Sequence, residues 1–181
     1  MRSIVLAFAI AVLSSTAAAG TGGTEVREPV NIIAETGLDI GPCGDGGSLT
    51  YPPAPYKGSA YFLRKADDKL AARHEGVTKQ RAPWLHRLDG PSGSNRVYTA
   101  ANGDRAIVFW SCKAGDCGAN VAYGAYGLPS TDYLLQVQEG GKHQSLGSTS
   151  ASLAAAIACA RTQDDRRRAH TAEQVRKQPG Q

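Results

Sequence analysis

Four cysteines and four histidines are the residues whose types could support covalent or metal chemistry in this 181-residue sequence. Cys43, Cys112, Cys117 and Cys159 form an even set that could close two bridges in three pairings. His74, His86, His143 and His170 do not fall at ligand spacing around the cysteines, and no Cys-x-x-Cys pair is present, which argues against a metal site. The missing Cys-x-x-Cys, without a thioredoxin-like pattern, also argues against a thiol oxidoreductase. Gly90-Pro91-Ser92-Gly93-Ser94 reads as a turn and not as a nucleophile elbow, and no His-Glu-x-x-His occurs. Asp132 and Glu139 lie at turns and read as solvated acids, while His74 and His86 read as structural histidines. Catalytic residues, a metal site and a cofactor are therefore not expected.

The most specific local feature is Cys112-Lys113-Ala114-Gly115-Asp116-Cys117. Two cysteines at facing strand ends with four residues between them can close a disulfide across a hairpin, because strand pairing already brings their α-carbons near the required ~5.5 Å. So short a loop gains only about 2 kcal/mol of chain-entropy stabilisation. The larger consequence is stiffness, which lowers the ordering cost of binding a partner. The remaining pair, Cys43–Cys159, would enclose over one hundred residues and contribute about 5 kcal/mol in the same treatment.

Those cysteines need elements to hold them. Leu63, Ala66 and Leu70 fall at helical spacing in Tyr61 to Arg73, with Ser59 available as a cap. From Arg96 onward the pattern changes to short apolar runs divided by turn signals. Arg96 to Ala101 meets Asn102-Gly103, a common hairpin pair, and Arg105 to Ser111 follows. Ala119 to Tyr126, Tyr133 to Gln138 and His143 to Ser148 complete five strands, separated by Gly127-Leu128-Pro129-Ser130 and by Glu139-Gly140-Gly141-Lys142. Ser150 can cap a final helix through Leu153, Ala154, Ile157 and Cys159. The expected fold class is α+β: a five-stranded antiparallel meander flanked by N-terminal and C-terminal helices and bonded by disulfides.

The remaining segments set the organisation. Arg2, the apolar run Ile4 to Leu13 and Ala17-Ala18-Ala19 form a signal-peptide pattern over residues 1–19, with an apolar run too short to span a bilayer. Export would place the cysteines in an oxidising compartment. Residues 20–60 are rich in Gly and Pro and read as a loop-rich arm pinned by Cys43; 61–160 reads as the folded body. Residues 161–181 read as a solvated basic tail.

Charge follows these divisions. Gly20 to Ala160 holds 13 basic and 13 acidic residues, whereas Arg161 to Gln181 holds six basic and three acidic. The formal charge of +4 is thus no basic face of a folded body, and a nucleic-acid-binding domain is not expected.

The stretch from Tyr61 to Leu146 resembles the Ivy family, the periplasmic inhibitors of vertebrate lysozyme. A helix leads into Ala82-Pro83-Trp84-Leu85, similar to the family's Pro-Ala-Trp segment, and Gly103-Asp104 resembles a family hairpin. Cys112 to Cys117 resembles the family loop Cys-Lys-Pro-His-Asp-Cys, with Ala114 and Gly115 standing at the Pro-His pair. The resemblance implies a five-stranded meander with helices before and after, and a protruding, disulfide-closed inhibitory loop of Cys112, Lys113, Ala114, Gly115, Asp116 and Cys117 that plugs a lysozyme cleft. It implies a lysozyme or a bacterial lytic transglycosylase as protein partner, and a homodimer. Lys113 and Asp116 match the family loop, so Lys113 would reach a carboxylate of the target while Asp116 accepts bonds inside the loop. The competing reading is a non-inhibitory envelope protein that uses its basic tail on peptidoglycan or anionic lipid.

Overall fold

A computed structural model describes residues 32–33 and 37–177. The signal-peptide pattern, the start of the Gly/Pro-rich arm and the last four residues lie outside the described residues.

The architecture follows from one strand that is apolar on both faces. β6 (Arg105–Cys112) reads Ala-Ile-Val-Phe-Trp between its ends, a continuous run and not an alternating one. Such a run needs cover on both sides. Ala106, Val108, Trp110 and Cys112 point into one core, Ile107 and Phe109 into another. β6 pairs antiparallel with β5 (Arg96–Thr99) and β7 (Asn120–Leu128), and the meander continues through β8 (Tyr133–Glu139) to β9 (Lys142–Gly147). Opposite Phe109 stands Gly124, where an added Cβ would land on the phenyl ring, so the missing side chain makes room for the aromatic one.

The sheet has seven strands where five are expected from sequence. The two additional ones, β2 (Gly41–Pro42) and β3 (Ser48–Thr50), come from the Gly/Pro-rich arm. They give the order β2-β3-β5-β6-β7-β8-β9, antiparallel throughout. β3 seats Leu49 in the core against Tyr98. A separate two-stranded parallel pairing joins β1 (Ile32–Ile33) to β4 (Ser92–Gly93). The first meander hairpin is also wider than a two-residue turn: Thr99 pairs with Arg105, leaving Ala100 to Asp104 as the loop, with Gly103 at φ +89°.

One face of the sheet is covered by α1 (Ala60–Ala66), α2 (Asp68–Thr78) and α3 (Pro83–Arg87), which supply Leu63, Leu70, Trp84 and Leu85. The single helix expected over Tyr61 to Arg73 is broken at Asp67, whose carboxylate accepts from Leu70 N–H at 3.0 Å and caps α2. The opposite face is covered by α4 (Ala151–Lys177) through Leu153, Ala156, Ile157 and Ala160. Ser150 supplies its side chain to Leu153 N–H at 3.4 Å, as a capping residue does.

α4 does not stop near Ala160. It runs 27 residues, straight through the position expected to separate body from tail. Gln163, Asp164 and Arg167 are buried beyond it. The reason is a polar seam. Arg96, on β5, makes a two-pronged pair with Asp164 at 2.9 and 3.0 Å and also donates to the Asp39 carbonyl at 3.1 Å. Gln163 donates to the Pro42 carbonyl at 2.9 Å. The Cys43–Cys159 disulfide, with α-carbons 5.4 Å apart, ties the same region of the arm to α4. Among the described residues, no helix is long and apolar enough to cross a membrane.

Candidate functional site

β6 and β7 hold the bridged loop at one end of the sheet. Their pairing runs to Cys112 opposite Val121, and the chain between them is closed by the Cys112–Cys117 disulfide, with α-carbons 5.0 Å apart. Cys112 is buried, whereas Lys113, Ala114, Gly115 and Cys117 are exposed. The structure thus presents a short cross-linked projection on a buried stem.

Backbone bonds shape that projection. Asp116 N–H donates to the Lys113 carbonyl at 3.0 Å, closing a four-residue turn whose third residue, Gly115, lies at φ +77°. A left-handed third residue is the requirement of a type II turn, which glycine meets without strain and which accepts proline in the second position, here Ala114. Lys113 N–H donates to the Asn120 carbonyl and Asn120 N–H to the Asp116 carbonyl, each at 3.0 Å. The Asn120 side-chain amide also donates to the Asp116 carboxylate at 2.6 Å. Asp116 is therefore a loop-internal acceptor, as its residue type suggests. The Lys113 ammonium lies 3.9 Å from that carboxylate, and both side chains are about half exposed, so the pair contributes little and leaves Lys113 available.

The stem is held from below. Cys112 N–H donates to the Pro91 carbonyl at 3.0 Å. A Cβ at Gly90 would collide with the Cys112 carbonyl, so the backbone approach at the loop base depends on glycine there. Gly90-Pro91 thus serves as a prop for the loop. The sequence signal for this was present, but a turn motif does not reveal what it touches.

The four cysteines of interest are all bridged, Cys112 to Cys117 and Cys43 to Cys159. Of the histidines, His74 and His86 are neighbours, their rings stacked with centroids 6.4 Å apart. His74 is fully enclosed: its Nδ1 accepts from the Tyr133 hydroxyl at 2.6 Å, while Nε2–H faces the carbonyls of Leu85 and His86 at 3.1 and 3.0 Å. Burial, aided by the Arg64 charge, pushes its pKa down to about 4. His74 is thus a neutral structural link between α2, α3 and β8. No group of three or more His, Cys, Asp or Glu side chains among the described residues could hold a metal ion.

Beside the bridged loop lies a mostly apolar depression of about 290 Å³, walled by Trp110, Cys112, Cys117, Gly118 and Val121, with Arg168 of α4 at its edge. The loop expected from sequence is therefore assembled as a unit, but with a helical neighbour in place of the solvated tail expected from sequence. Comparison with family models, with curated proteins and with solved structures gives no match to this chain.

Proposed function

We propose that this chain is an exported, periplasmic inhibitor of a lysozyme-type muramidase, a binding protein and not an enzyme, which enters the target's cleft with the loop Cys112 to Cys117. The observation that carries the reading is the exposed turn Lys113-Ala114-Gly115 closed by a disulfide on a buried stem. Such a loop meets its partner already ordered, so little conformational entropy is lost on docking. Glycosidase clefts hold two carboxyl groups with room between them. The half-exposed Lys113 ammonium offers charge of the right sign for one of them, and the turn backbone fits where a sugar would lie. Two disulfides are in keeping with an oxidising compartment.

The side-chain donor of the resembling family's loop is missing at Gly115, so backbone groups and Lys113 must supply the contacts here. The test is an inhibition assay against vertebrate lysozymes and a bacterial lytic transglycosylase, using wild type, Lys113→Ala and the double variant Ala114→Pro/Gly115→His. Space around Gly115 is open, and histidine tolerates a left-handed backbone better than most residues. Lys113→Ala is expected to weaken inhibition and the double variant to strengthen it. Inhibition unchanged by both substitutions would refute the loop-plug mechanism.

A further inference from the structure

The positive charge of the chain is not on a free tail but on a helix beside the loop. α4 passes from Leu153, packed at Gly127 on the far end of β7, to Arg168 at the rim of the depression beside Cys112 and Cys117. Beyond it, 169–177 is exposed throughout. Arg161 lies seven residues before Arg168, two helical turns, so both occupy nearly one face. The Arg161 guanidinium is 4.9 Å from the centroid of the Tyr123 ring on β7, which fixes that face over the sheet and toward the loop. Among the described residues, Asp164 is taken by Arg96 and Glu173 by Lys177 at 2.6 Å. Asp165 is then the remaining acid of α4 against Arg161, Arg166, Arg167, Arg168 and Arg176.

We propose that Arg168 and the apolar depression beside it are the second half of the partner-binding surface, and that they select a muramidase whose cleft rim carries carboxylates and one apolar side chain. This rests on the proposed inhibitory reading and narrows its partner. The chemistry is complementary in three places: the loop enters the cleft, the apolar side chain covers Trp110 and Val121, and a rim carboxylate meets the exposed guanidinium. Arginine suits the last role, since its planar fork can grip a carboxylate with two parallel bonds. With residues 20–160 carrying zero net charge, the exposed arginines of α4 set the direction of approach, and they turn away a muramidase with a basic rim.

The experiment measures association and dissociation of the full chain with muramidases of acidic and of basic cleft rim, at low and high ionic strength, for wild type, Arg168→Glu, Arg176→Glu and Gly118→Phe. Arg176 is also exposed on α4 but two turns further along it. Gly118 lines the depression and a Cβ there meets nothing within 4 Å, so a phenylalanine at its wall has room for its first side-chain atom. Arg168→Glu is expected to slow association about ten-fold at low salt, with the difference shrinking at high salt, and Arg176→Glu to change it less than about two-fold. Gly118→Phe is expected to speed dissociation. Wild-type binding that Arg168→Glu and Gly118→Phe leave intact, or that both charge reversals weaken equally, overturns this inference while the loop-based reading stands. Wild type that binds no muramidase overturns both. Arg168-dependent binding to phosphatidylglycerol vesicles in that case assigns the patch to the membrane surface.

Discussion

Replacing Asp164 by alanine should destabilise the fold far more than its place in a charged stretch suggests. Arg96 and Asp164 are only 1% and 2% exposed, and they meet through two parallel bonds at 2.9 and 3.0 Å. Removing the carboxylate leaves a guanidinium in the interior with the Asp39 carbonyl as its remaining partner at 3.1 Å. Breaking a buried pair in this way costs about 3–5 kcal/mol, against roughly 0–1 kcal/mol for an exposed pair. A domain of ordinary stability has about 5–15 kcal/mol in total, so the variant would lose a large part of it. The assay is urea unfolding followed by tryptophan fluorescence, with both disulfides intact, on wild type, Asp164→Ala and the double replacement Arg96→Met/Asp164→Leu. The double replacement should recover most of the loss, because the buried charge goes with its partner. A cost below about 1 kcal/mol for Asp164→Ala would refute the reasoning and return α4 beyond Ala160 to the status of a solvated tail. The same pair makes deletion of residues 161–181 unsuitable as a functional test, since it removes Asp164 along with the surface arginines.

His74 makes stability fall on the acid side. Its folded pKa lies below the ordinary 6.5, so the unfolded chain takes up the proton first; the contribution is complete above pH 6.5 and is lost as pH falls toward 4. Between pH 7 and pH 5 this amounts to about 2 kcal/mol, and His74→Gln should flatten that part of the unfolding profile; an unchanged profile would contradict it. The two bridges should differ in what they support. Cys43 and Cys159 are 116 residues apart, so their replacement by alanine should cost about 5 kcal/mol in thermal or urea unfolding. Cys112 and Cys117 are five apart, so their replacement by serine should cost about 2 kcal/mol. A larger loss from the short bridge than from the long one would overturn that ordering.

The meander was legible because its strands carry their own signals. Runs such as Ile107-Val108-Phe109-Trp110 and turns such as Glu139-Gly140-Gly141-Lys142 are local, and so is the loop between Cys112 and Cys117. The first two strands of the sheet were not legible. Two or three residues among glycines and prolines have no period to read, and they are placed by long-range partners, Cys159 for Cys43 and Tyr98 for Leu49. The length of α4 was hidden differently. Its buried positions run Leu153, Ile157, Ala160, Asp164, Arg167, an unbroken three-and-four spacing, but the residue types change from apolar to charged halfway along. A pattern search for hydrophobic residues ends where the apolar contacts give way to ion pairing, although the helix face continues. The loop's bridge was readable from its residues, but its neighbour Arg168 was not, because only the course of α4 brings it there.

Inhibition with and without the short bridge tests the loop mechanism most directly. Steady-state cell-wall hydrolysis by a panel of vertebrate lysozymes and a lytic transglycosylase should be measured with wild type and with Cys112→Ser/Cys117→Ser. The prediction is inhibition of at least one enzyme, competitive with the glycan, and weakened about ten-fold in the bridgeless variant, which remains folded on the Cys43–Cys159 clamp. Absence of inhibition across the panel, or equal potency from the folded bridgeless variant, would contradict it.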